Sequence, residues 1–112
     1  MNTKQKIHFL THLRVKFEST DLCELLMIDV KGFSESEILG IPSLELVNRD
    51  NVISGEGILE LDFVIHPIAF SGLQRREWDI CPIFLMSDFP EGLRGIKVNA
   101  KTNTRLFLLE PN

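Results

Sequence analysis

The sequence predicts a mainly β, single-domain protein, folded as a compact antiparallel β-sandwich or barrel of about six or seven strands. Three observations predict this class: short segments in which apolar and polar residues alternate, clusters of turn-forming residues between them, and a length of 112 residues. A chain of this length, residues 1–112, forms one domain that buries a core without metal ions or disulfide bonds.

The first predicted strand, residues 7–17, has two different faces. Five of its six odd positions are apolar, and six of the seven even positions from Lys4 to Lys16 are polar. A period of two is typical of a strand that is buried on one side. We therefore expect the odd positions from Ile7 to Phe17 to face the core and the even positions to face solvent.

Residues 20–32 fit two structures. Asp21 and Glu24 have the spacing of a helix-capping box, and Gly32 suits the end of a helix. The apolar run at residues 25–30 also suits a buried strand that returns from a turn, and we favour this strand. One short helix at 20–32, or a helical turn at 34–40, stays open as an alternative.

The rest of the chain contains further strand patterns separated by turn residues. Pro67 is expected to end its strand or place it at a sheet edge, and Pro82 is expected to lie at an edge or a bulge, because proline cannot donate to a sheet. The predicted strands are residues 43–47, 58–65 and 76–86, and two more that meet at a turn near Thr102 and Asn103.

The two cysteines and the hydropathy pattern indicate the cellular compartment of the protein. Cys23 and Cys81 have apolar neighbours and no paired spacing, so we expect buried, unreactive thiols and neither a disulfide framework nor a zinc site. No apolar stretch approaches the roughly 18 residues that cross a bilayer. The sequence therefore predicts a soluble, cytoplasmic protein without a membrane partner.

Residues that often carry catalysis occur here without a recognisable catalytic motif. His8 and His12 lie about 13 Å apart if they are on one strand, which is too far to share a metal ion. Glu60 and Asp62 have the spacing of a solvated strand face. We expect no metal, no cofactor and no catalytic residue. A small-molecule-binding or catalytic barrel that uses an interior carboxylate or His66 stays open as an alternative function.

Basic residues concentrate near both ends of an otherwise acidic chain, whose formal net charge is −4. If the first and last strands are neighbours, their basic residues form one surface that binds an acidic protein or, as second choice, nucleic acid. Alternatively, these basic residues have no binding role and only keep an exposed strand soluble and unpaired. The candidate residues are Lys4, Lys6, His8, His12, Arg14, Lys16, Lys97, Lys101 and Arg105.

A second candidate surface contains Arg75, Arg76 and Trp78. Arginine and tryptophan dominate the energetics of protein interfaces, although a single tryptophan in a small β-domain is more often part of the core. Together these patterns favour a non-catalytic interaction domain, such as an adaptor, an inhibitor or a subunit, that docks on another macromolecule. Association between identical chains is left open by the sequence.

Overall fold

Nine β-strands and one short 3-10 helix make up the regular structure of the part of the chain described by the computed structural model, residues 4–35, 38–47, 56–70, 76–89 and 92–109. The 3-10 helix, η1, spans Met86–Asp88. The strands are β1 (Gln5–Lys6), β2 (Phe9–Ser19), β3 (Glu24–Ser34), β4 (Ile38–Leu46), β5 (Ile58–Phe70), β6 (Arg76–Ile80), β7 (Ile83–Leu85), β8 (Gly95–Asn99) and β9 (Thr104–Leu108).

The strands form two sheets that pack face to face as a β-sandwich. Sheet A contains β4, β5, β8 and β9 together with the short strand β1, and sheet B contains β2, β3, β6 and β7. The predicted mainly β class is therefore confirmed. The pairs are antiparallel except for β5 and β8, which run parallel because the chain crosses to sheet B through β6 and β7 between them.

The helical alternatives differ from the structure. Residues 24–34 are the strand β3, as favoured, so the helix at 20–32 is not formed. Residues 38–40 begin β4, and residues 36 and 37 of the alternative helical turn lie outside the described residues. The strand number exceeds the predicted six or seven for two reasons. The short strand β1 precedes the predicted first strand, residues 7–17, and the predicted strand 76–86 is divided at Cys81 and Pro82.

The core lies between the inner faces of the two sheets. The central strand β5 contributes every second side chain to it, as its alternating sequence predicts. Each such side chain stabilises the fold by roughly 1.5–3 kcal/mol when it is fully buried. The residues that are fully buried or nearly so include Leu59, Leu61, Phe63 and Ile65 of β5, Leu26, Ile28 and Val30 of β3, and Ile96 and Val98 of β8.

A β-bulge changes the predicted faces of the first strand. The pairing of β2 with β3 shifts register between Leu10 and His12, so the side-chain alternation is out of phase on the two sides of Thr11. Leu10 is consequently fully buried, although its even position predicted exposure. Phe9 instead lies on the outer face, 37% exposed, and stacks on Phe33 with ring centroids 5.5 Å apart.

Two prolines and one cysteine also refine the predictions. Pro67 does not end its strand; it lies within β5, opposite Gly40 at a register shift in β4. Pro82, which was expected at a sheet edge or a bulge within one strand, lies in a break between β6 and β7, where its carbonyl accepts a hydrogen bond from the Ile28 amide at 3.1 Å. Cys81 is exposed, not buried, because it occupies the same break, and Cys23 is half-buried; both thiols are free.

Within the described ranges there is no helix long and apolar enough to cross a membrane.

Candidate functional site

The nine basic candidate residues are distributed over different parts of the sandwich. The strands that carry them, β2 on one side and β8 and β9 on the other, belong to different sheets, so the expected single basic surface is not formed. Lys4, Lys6 and Lys97 lie on the outer face of sheet A, His12, Arg14 and Lys16 on the outer face of sheet B, His8 at the junction of β1 and β2, Lys101 in the β8–β9 turn and Arg105 on β9.

Carboxylates neutralise the basic residues on the outer face of sheet A. Lys4 Nζ lies 2.8 Å from Glu45 Oε1, Lys6 Nζ lies 3.8 Å from Asp62 Oδ1, and Lys97 Nζ lies 3.9 Å from a Glu60 oxygen. Each lysine stands beside a carboxylate on the neighbouring strand β4 or β5. This face is therefore a balanced network of charges, which gives little net attraction to a polyanion.

Glu45 joins two basic side chains at the edge of this network. One carboxylate oxygen accepts the hydrogen bond from Lys4, and the other lies 2.6 Å from His66 Nε2. The hydrogen bond from Lys4, assisted by the contact with His66, lowers the pKa of the Glu45 carboxyl below its ordinary value against the opposing effect of desolvation. Glu45 thus stays ionised in moderately acidic solution.

Glu60, Asp62 and His66, the candidates for an interior catalytic site, lie on the outer face of sheet A. The Asn99 amide donates hydrogen bonds to Glu60 and to Asp62, at 2.8 and 3.1 Å. These two carboxylates therefore have structural partners and do not line an enclosed cavity. Among the described residues, no group of three or more histidines, cysteines and carboxylates has the arrangement of a metal site.

Arg76 and Trp78, two of the candidates for the second surface, pack against each other and do not form an exposed patch. Trp78 is 7% exposed, and its indole N–H donates to the Ser34 hydroxyl at 3.1 Å. The guanidinium of Arg76 lies over the indole, 4.4 Å from its centroid, as in a cation–π contact. Arg75 lies outside the described residues. Trp78 is thus a core residue and is not available as an interface anchor.

Two of the cationic candidates on sheet B form no ion pair with a carboxylate of the described residues. His12 Nε2 lies 3.4 Å from Asp29 Oδ2, and Lys31 Nζ on the next strand lies 3.9 Å from Asp79 Oδ2. Arg14 and Lys16, in contrast, form no ion pair with any described residue. They follow His12 along the outer side of β2, the edge strand of sheet B.

An open groove lies on the side of the sandwich where β2 faces β9. It has a volume of about 560 Å³, and we call it the β2–β9 groove. Within the described part of the chain, β2 pairs only with β3 and β9 only with β8, so each strand leaves one edge unpaired. The groove lies between these edges. Ser19 and Glu24 contribute to its lining, and its apolar lining residues are Val15, Phe17, Leu93, Phe107, Leu108 and Leu109.

Asn103 closes the groove at one end. Its side chain accepts a hydrogen bond from the Leu10 amide at 2.7 Å and donates one to the Leu10 carbonyl at 2.9 Å. Arg105 Nε also approaches the Leu10 carbonyl, at 3.4 Å. The adjoining turn is held to the junction of β1 and β2, since the amides of Lys101 and Thr102 donate to the carbonyls of Ile7 and His8. From His12 to Ser19 the same edge of β2 pairs with no other described strand.

The groove was not predicted from the sequence. Phe17 was placed in the core by its odd position, but it is 50% exposed at the wall of the groove. Its exposure depends on which strand edges face each other, and alternation within one strand cannot reveal this.

Comparisons with models of protein families, with curated proteins and with solved structures found no match. Function must therefore be inferred from the groove and its surroundings.

Proposed function

We propose that this domain acts by binding another protein, without catalysing a reaction, and that the β2–β9 groove is its docking surface. The observation that supports this most is the edge of β2 that no other described strand covers, beside a groove lined in part by apolar side chains. An edge strand offers a row of backbone donors and acceptors, and natural proteins usually cover or interrupt such edges. Addition of a partner strand at a free sheet edge is a common mode of peptide recognition.

Nucleic acid is the second candidate partner, and the charge distribution supports it less. Five of the nine basic candidates, Lys4, Lys6, His8, His12 and Lys97, already lie within 4 Å of a carboxylate. A phosphate backbone would have to compete with these carboxylates, and the chain as a whole is acidic. A titration with generic oligonucleotides at low salt is expected to give no binding; salt-sensitive binding there would favour nucleic acid.

The third candidate, a small-molecule-binding or catalytic barrel, would need an interior polar site. Its carboxylates, Glu60 and Asp62, point to the outside of sheet A and are engaged by Asn99. The β2–β9 groove lies on another side of the molecule, and its lining combines aliphatic and aromatic side chains with Ser19, Glu24 and exposed backbone. Protein binding therefore has the stronger support.

We place this function in the cytoplasm, which the two free cysteines support. Cys81 is exposed to solvent, and an unpaired exposed thiol persists best in a reducing compartment. Rapid alkylation of intact cells that produce the protein should label Cys81 as a free thiol. Recovery of the protein mainly in an oxidised form would contradict this placement.

A selection of random peptides displayed on phage, performed on the folded domain, tests the docking surface. We expect the enriched peptides to bind the Phe17→Asp variant about tenfold or more weakly than the wild type, because binding would bury the new carboxylate at the wall of the groove. Ile41→Asp is the matched control: Ile41 is 60% exposed, against 50% for Phe17, but lies on the outer face of sheet A. Failure to enrich any peptide, or equal binding to both variants, would contradict the proposal.

A further inference from the structure

We propose that the occupant of the β2–β9 groove is an extended segment of another protein in which apolar and acidic residues alternate, and that it pairs with β2 as a fifth strand of sheet B. This inference rests on the proposed function and specifies the chemistry of the partner. It follows from three properties of β2, namely its backbone edge, its inner side chains and its outer side chains.

The backbone edge of β2 is long enough to bind a strand. Asn103 satisfies only Leu10, and the following eight residues, 12–19, span about 25 Å at a rise of roughly 3.3 Å per residue. Alternate amides and carbonyls of this stretch point away from β3 and toward the groove. The bonds that Asn103 makes with both polar groups of Leu10 show that this edge accepts a donor and an acceptor from across the gap.

The inner side chains of β2 require apolar partners. Val15 is buried and Phe17 is half-exposed, and both face the groove opposite Phe107 and Leu109. A strand added to β2 would direct every second side chain into this space, where it would cover the exposed part of Phe17. Aliphatic or aromatic residues at these positions would remove apolar surface from water, which is favourable, whereas charged ones would be desolvated.

The outer side chains of β2 require acidic partners. Arg14 and Lys16 stand next to each other on the outer face and form no ion pair with a described carboxylate, although Asp29 of β3 lies opposite Arg14 and Glu18 follows Lys16 on β2. The other side chains of an added strand would lie directly beside these cations. Opposite charges at such cross-strand positions are favourable and like charges are unfavourable. Acidic residues therefore alternate with the apolar ones in the sequence that fits.

The far edge of sheet B contains an internal example of this match. In β6 the buried Trp78 alternates with Glu77 and Asp79, which face outward, and Asp79 lies 3.9 Å from Lys31 of β3. The free edge of β2 offers a partner the same combination of inner apolar and outer basic side chains. Symmetric pairing of β2 with β2 of a second copy is disfavoured in the register that places Arg14 of one chain opposite Lys16 of the other, because like charges would then lie side by side.

Fluorescence anisotropy with two labelled peptides of about nine residues, one alternating valine with glutamate and one alternating valine with lysine, tests this inference. We expect the glutamate peptide to bind at least about tenfold more tightly to the wild-type domain, since two or three cross-strand charge pairs differ between the complexes. The double variant R14E/K16E is expected to reverse this preference. Both substitutions are on an exposed face, and a circular dichroism spectrum verifies that the variant is folded.

The outcomes separate this inference from the proposed function. If phage-selected peptides bind at the groove but the two charged peptides bind equally, or R14E/K16E does not change their order, the acidic alternation is wrong and the docking surface remains. If no peptide binds at the groove, both fail. Sedimentation velocity of the free chain gives a further outcome: self-association that R14E/K16E abolishes would assign the edge to a second copy and overturn the inference.

Discussion

Removal of the Asn103 side chain in Asn103→Ala would test how the groove is closed. The change eliminates two hydrogen bonds to Leu10, of 2.7 and 2.9 Å, between groups that are partly buried. Each hydrogen bond contributes roughly 1 kcal/mol, and a donor left unsatisfied costs more. Arg105 still approaches the Leu10 carbonyl, but the Leu10 amide has no substitute. We therefore expect a loss of about 2–3 kcal/mol in the free energy of unfolding.

The loss can be measured by urea denaturation, and in a domain of this size it should lower the melting temperature by about 10 °C or more. Lys101→Ala is the matched control: it lies in the same turn, its side chain is exposed, and its amide remains bonded to Ile7. We expect this control to change stability by less than about 0.5 kcal/mol. If Asn103→Ala were equally mild, Asn103 would not substitute for a strand partner at Leu10.

Three further experiments test the rest of the fold. Glu45→Gln should lower the free energy of unfolding most at pH values above the ordinary glutamate pKa. The stability difference between the wild type and this variant should disappear as the pH falls through the lowered pKa of Glu45 in the folded state. Denaturation at several pH values measures this difference. Gly32→Ala should cost roughly 2 kcal/mol or more in urea denaturation, because its Cβ would lie 2.5 Å from the Phe9 carbonyl. Trp78→Phe and Ser34→Ala should show a coupling of about 1 kcal/mol in a double-mutant cycle, which isolates their hydrogen bond.

Each of these substitutions has its own control and contradicting result. Glu18→Gln, at an exposed carboxylate of β2 without a described ion pair, should change stability little at any pH, and an equal effect of both glutamates would contradict the role of Glu45. In Gly92→Ala the added Cβ has no atom within 4 Å, and the only strain comes from the backbone φ of +96°. This variant should therefore lose less free energy of unfolding than Gly32→Ala. A coupling near zero in the cycle would contradict the hydrogen bond of Trp78.

The features that follow from local patterns were predictable from the sequence. Alternation in residues 58–65 identifies both the strand β5 and its buried face, since neighbouring side chains of a strand point to opposite sides. The turn near Thr102 and Asn103 was likewise identified by its residue types. Pro82 indicated an irregularity in the predicted strand 76–86, because proline cannot donate to a sheet, but not that the strand would be divided there.

The features that depend on pairing between distant strands were not predictable in this way. The bulge at Thr11 exchanges the environments of Phe9 and Leu10, and nothing in the local alternation indicates where it occurs. The chain passes from sheet A to sheet B between β1 and β2, and this separates Lys4 and Lys6 from the basic residues of β2 that the sequence placed beside them. The groove has the same origin, because it exists only where the free edges of β2 and β9 face each other.

Amide hydrogen exchange along β2, measured with and without a groove-binding peptide selected on phage, tests the central claim most directly. In the free domain, alternate amides of residues 12–19 should exchange rapidly, since they have no partner on the open edge, while those directed to β3 are protected. The peptide should slow the open-edge amides and leave those of β4 unchanged, because it forms hydrogen bonds with β2. Protection confined to β9 or to an outer sheet face, or none on β2, would contradict strand addition at this edge.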